Sequence, residues 1–161
     1  SGLMIHYTKN LLPLHAGDTV LLDAGCEWGG YASDITRTFP VSDSFSTPQR
    51  DLYEAVLRVE KECIKACSAD RGMSLDGLHD MSARLMRTEL RELGFNLRGS
   101  EMERILYPHF VGHPVGIDLH DTPSFGRNEP CVLFFFLPSR VIDRIWFTEY
   151  RPAWSSCAAF I

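Results

Sequence analysis

Two short β-prone runs, Thr19–Ala24 (TVLLDA) and Tyr31–Phe39 (YASDITRTF), flank a Gly29-Gly30 pair. Strand formers on either side of a turn over Glu27–Gly30 predict an antiparallel hairpin. Each run carries one aspartate, Asp23 and Asp34, inside a segment otherwise suited to burial. If Trp28-Gly29 is the two-residue loop, opposed residues have numbers summing to 57, and Asp23 faces Asp34. Directly opposed side chains lie ~4.5–5.5 Å apart, where like charges destabilise. A carboxylate pair so placed persists by sharing a proton, meeting cations or binding metal. The plainer alternative is that one aspartate caps a turn and the other is solvated.

Downstream, Ser46-Thr-Pro-Gln49 has the pattern of a capping box. Leu52, Val56, Val59, Cys63 and Ala66 follow at helical spacing, predicting a helix to about Ala69 that buries this face against the aspartate hairpin. A second helix is predicted from Ser74 through Leu78, Met81, Leu85 and Leu93, with Gly94 as its stop. Tyr107–Asp121 (YPHFVGHPVGIDLHD) reads as a further strand-like segment. The order predicts an α+β domain. Residues 131–161 differ in texture: they are apolar and aromatic-rich with weak periodicity, and predict either a strand with a short helix or exposed apolar surface.

At 161 residues and 45% hydrophobic content the chain accommodates one core. A net charge of −5 gives no basic footprint, so nucleic acid is not an expected partner. No apolar run approaches the ~18–20 residues of a membrane span. No targeting segment is recognisable, and an opening Ser1 is expected of a processed product or a fragment. The five cysteines form no CxxC pair, which fits a reducing or disulfide-free compartment. Cys63 and Cys67, four apart on the first predicted helix, read as core residues rather than a metal clip.

His109, His113 and His120 fall within an apolar, glycine-punctuated stretch. One histidine in such a place is ordinarily a satisfied core residue. Three beside a paired-aspartate hairpin point to a metal, because a neutral imidazole is a natural transition-metal ligand. His109 and His113 have i,i+4 spacing, but Gly112 and Pro114 oppose the helix a zincin motif needs. Hard carboxylates plus one imidazole favour manganese, cobalt, iron or zinc.

Three stretches together, IHYTKN (Ile5–Asn10), DAGCEWGGYASDITRTFP (Asp23–Pro40) and HFVGHPVGIDLHDTP (His109–Pro123), resemble aminopeptidase P, the Xaa-Pro aminopeptidases of the pita-bread metallopeptidase fold. LYPHFVGHPVGIDLHD and DLYEAVLRVEKECIK are most similar to the mitochondrial, intermediate-cleaving members. The resemblance covers roughly residues 3–130, read as a partial catalytic domain, with 131–161 as a non-matching tail. It implies an antiparallel sheet with flanking helices and two divalent ions, usually manganese, held by two aspartates, one histidine and two glutamates. By motif, Asp23, Asp34 and His113 take the metal-ligand places. His109 and His120 match catalytic histidines around the metals, His120 beside the scissile peptide, and His6 matches a histidine lining the substrate pocket. The implied reaction is metal-assisted release of one residue from the free amino terminus of a peptide or processed protein. The implied address is mitochondrial, otherwise cytoplasmic. A homo-oligomer is left open.

The family's two glutamate-bearing strands have no counterpart after Pro130; Asp143 and Glu149 stand in other contexts. Asp23 and Asp34 alone supply two negative charges against the four positive charges of two ions. The expectation is at most one weakly held ion and impaired hydrolysis, in a truncated or alternatively terminated product. The alternative is a non-catalytic pita-bread module that binds peptides or proteins.

Overall fold

The computed structural model describes residues 11–67 and 72–121. Strand β1 (Thr19–Ala24) pairs antiparallel with β4 (Ile35–Pro40), and between them β2 (Glu27–Trp28) pairs with β3 (Tyr31–Ala32). The four pieces form one interrupted hairpin. Its register corrects the expected one. Trp28 lies opposite Tyr31, and Asp23 opposite Thr36, so the loop is Gly29-Gly30. Both loop residues have positive φ, 58° and 84°. A type I′ turn requires that at both positions, and glycine meets it without a side-chain clash. The slip amounts to two residues and therefore preserves side-chain parity. Asp34 keeps its expected face but sits in the break between β3 and β4 instead of opposite Asp23.

That break is tied across by backbone and hydroxyl. The Ser33 N–H donates to the Cys26 carbonyl at 2.8 Å, and the Cys26 N–H donates to Ser33 Oγ at 2.9 Å. The strands approach so closely that a Cβ on Gly25 would stand 2.0 Å from the Ser33 carbonyl oxygen. Only glycine fits there.

Helix α1 (Thr47–Ala66) begins where the Ser46 N–H donates to Gln49 Oε1 at 2.9 Å, with a proline in its first turn. The prediction of helix to about Ala69 falls partly on residues 68–71, outside the described residues. Helix α2 (Leu75–Glu92) is capped by Ser74 Oγ, which accepts from the Gly77 N–H at 3.1 Å. Past its end Gly94 takes φ 89°, matching the stop signal. The helices pack on each other around Val59, Cys63, Ala66, Cys67 and Leu78, and Val111 closes the cluster. Burial pushes the Cys63 thiol up to about 11, as befits a core residue.

One packing expectation is corrected. Val59 is buried at 5% exposure, but against α2 and Val111, not against the hairpin. Leu52 and Val56 remain 40% and 46% exposed. The apolar stripe extends toward the helix start beyond what its described neighbours cover.

The segment 107–121, expected to be strand-like, is irregular after a π-helical turn at Met102–Leu106. Pro108 and Pro114 remove ladder donors, and Gly112 and Gly116 weaken a strand. The segment is fastened at separate points: Val111 enters the core, and the Ala32 N–H donates to the Gly116 carbonyl at 2.9 Å. No helix among the described residues is long and apolar enough to cross a membrane.

Candidate metal centre

The hairpin break presents Asp34 to the histidine loop. His113 Nε2 lies 3.1 Å from Asp34 Oδ2, across 79 positions of sequence. Both side chains are largely buried. On its other side His113 Nδ1 lies 3.0 Å from the Pro114 carbonyl, which can only accept, so Nδ1 carries a proton. In the neutral ring Nε2 is then a lone pair aimed at a carboxylate oxygen. Two acceptors at that distance need a proton or a cation between them.

The electrostatics agree. Burial raises the Asp34 pKa above the ordinary carboxylate value, and the charge and hydrogen bonding of Asp23 raise it further. His113 pulls the other way without cancelling the shift. Asp23 is held by its cross-strand neighbour: Thr36 Oγ1 donates to Asp23 Oδ1 at 3.0 Å. Thr36 is a neighbour of the candidate site not singled out from the sequence, although its place two residues beyond Asp34 on the same face signals it.

The donor set suits a divalent transition ion. Two cis ligands at ~2.0–2.2 Å from an ion are ~3 Å apart, and Asp34 and His113 already have that spacing. The Pro114 carbonyl supplies the kind of outer hydrogen bond that fixes the tautomer of a histidine able to ligate metal.

His120 belongs to the cluster in a different way. A donor atom from each of Asp34, His113 and His120 lies within 4.8 Å of the others. Yet the two imidazoles are stacked, with centroids 4.0 Å apart and planes tilted 26°. An imidazole binds metal in its own plane at ~2 Å, whereas planes at that tilt and spacing meet only roughly 8 Å away. In this arrangement His120 flanks the His113 ring and does not share its ion. His109 is half-buried, its Nδ1 3.2 Å from the Phe110 carbonyl and its ring edge-on to Tyr107. His6 lies outside the described residues.

A hairpin bearing two aspartates, opposed by a loop bearing an imidazole, belongs to a fold of the pita-bread type. Residues 1–135 match metallopeptidase family M24. Over 130 residues the chain is 46% identical to intermediate cleaving peptidase 55 of Schizosaccharomyces pombe, covering 81% of this chain and 27% of that protein. It is 45% identical over 130 residues to Xaa-Pro aminopeptidase 3 of Rattus norvegicus, covering 78% and 25%. The crystal structure of Icp55 from Saccharomyces cerevisiae resembles it with a TM-score of 0.74 at 46% identity, over 78% of this chain and 32% of that one. The chain belongs to metallopeptidase family M24. It spans about a quarter of the length of the curated relatives it matches.

Proposed function

We propose that this chain carries the aspartate–histidine part of an aminopeptidase centre, which removes one residue from the free amino terminus of a peptide or processed protein. The observation that carries the reading is the Asp34–His113 contact at 3.1 Å, beside Asp23 on the same face. Asp23, Asp34 and His113 hold the metal, manganese by resemblance. A divalent ion bound there supplies carbonyl polarisation and a water acidic enough to attack. The Pro114 carbonyl keeps Nε2 of His113 free as a ligand, and Thr36 keeps Asp23 turned toward the site. In the same reading His120, whose ring stacks on His113, and His109 are the catalytic histidines, and His6 lines the substrate pocket. Relatives named Xaa-Pro aminopeptidase 3 and intermediate cleaving peptidase 55 support the chemistry, and a mitochondrial address is proposed with it by resemblance. Self-association is part of the same proposal.

Among the described residues this reading gives the site two carboxylates, Asp23 and Asp34. Charge balance therefore favours at most one ion, weakly held. Hydrolysis of Xaa-Pro peptides with excess Mn²⁺ tests this. The chain should act at least ~10²-fold more slowly than a full-length relative, since a general base alone contributes 10²–10⁴-fold. Relative-like turnover, abolished by Asp34→Ala, would refute the impairment. Peptide binding without turnover would favour the non-catalytic module.

A further inference from the structure

The two halves of the metal site are anchored on different parts of the fold. Asp23 and Asp34 belong to the hairpin, whereas the loop carrying His109 and His113 leaves the π-helical turn at Tyr107 and is fastened to α2. The fastening has a fixed proton order. Ser82, 1% exposed on α2, donates its single hydroxyl hydrogen to the His79 carbonyl at 2.7 Å. Its contact with the Tyr107 hydroxyl at 2.9 Å must then be one in which Tyr107 donates and Ser82 accepts. Burial holds the Tyr107 phenol above its usual pKa, against the pull of Ser82, so the donor keeps its proton.

Two imidazoles contact the Tyr107 ring. The His79 ring packs on it at 5.4 Å and on Phe110 at 4.9 Å, and His109 stands edge-on to it at 5.3 Å. Four residues beyond Tyr107, Val111 is buried in the α1–α2 core. Among the described residues no regular strand carries the histidines.

We propose that Ser82 and Tyr107 are positioning residues: their hydrogen bond fixes the start of the histidine loop on α2 and so aims His109 and His113 at the aspartate hairpin. The inference rests on the metal-site reading for its consequence, but not for its geometry. Tyr107→Phe removes the link while leaving Ser82 its donor role to His79. Ser82→Ala strips the half-buried Tyr107 hydroxyl of its acceptor and should lower the melting temperature more than Tyr107→Phe does. The double variant should cost less than the two singles together, because it leaves no orphaned hydroxyl.

The deciding experiment uses the full chain in two readouts. Imidazole ¹⁵N–¹H spectra without metal should show the His109 and His113 ring signals displaced in Tyr107→Phe, with α1 amide signals unmoved. Titration with Co²⁺ alone, followed by its visible bands, should show affinity reduced about tenfold, as loss of an outer-sphere support does. Ring signals at their wild-type positions in both single variants would overturn the proposal, whatever happens to stability. If His113→Ala binds Co²⁺ as well as the parent, the metal-site reading fails, while the ring signals still decide the role of Ser82 and Tyr107.

Discussion

Truncating Val59 and Val56, one turn apart on α1, gives a sharp contrast. Val59 is 5% exposed and packs with Cys63, Leu78 and Val111; Val56 is 46% exposed. Val59→Ala removes two buried methyl groups, worth ~0.8 kcal/mol each in transfer. The void left among its neighbours adds to that, for a total of ~2–3 kcal/mol. Val56→Ala removes methyls that are about half wet and leaves no closed cavity, so its cost is under ~1 kcal/mol. Urea denaturation followed by far-ultraviolet circular dichroism resolves the two. With a slope of ~1–3 kcal/mol/M, Val59→Ala should lower the midpoint by about 1 M and Val56→Ala by less than half of that. Equal shifts would refute the packing described, because the Val56 face would then be covered as firmly as the core, as the helical periodicity alone predicts.

Asp34→Asn should exchange function for stability. The folded state raises the Asp34 pKa, so its stabilising contribution is complete below the unfolded value of ~3.9 and is lost as pH rises through the folded value. Asparagine has no such loss. The metal-free variant should therefore match the parent near pH 3 and melt higher at pH 7, while failing to bind Mn²⁺; a lower melting temperature at pH 7 would contradict the burial argument. Gly25→Ala should destabilise the hairpin and weaken metal binding together, since its Cβ has no room beside the Ser33 carbonyl. Wild-type stability by thermal melting would show that the strand break relaxes freely.

The helices were legible in the sequence because their signals are local. Ser46 with Gln49, Ser74 and Gly94 mark caps and a stop within a few residues of the groups they satisfy. The shared face of Asp23 and Asp34 was legible through parity: a register error of two residues leaves both on one face, although it misassigns their direct partners. What decided the register was backbone conformation at Gly29 and Gly30, which a pattern of strand formers does not weigh. The partner of the α1 stripe was not legible either, because periodicity says which face is apolar and not what covers it. Pro108 and Pro114 argued against a strand over 107–121, but the apolar run between them masked that signal.

The measurement closest to the central claim is a calorimetric titration of the 161-residue chain with Mn²⁺ at pH 7, beside His113→Ala. Asp34 and His113, already at ligand spacing with Asp23 alongside, should bind at most about one ion per chain, weakly, and the variant should bind none. Two tightly bound ions, or binding that His113→Ala leaves unchanged, would contradict the account.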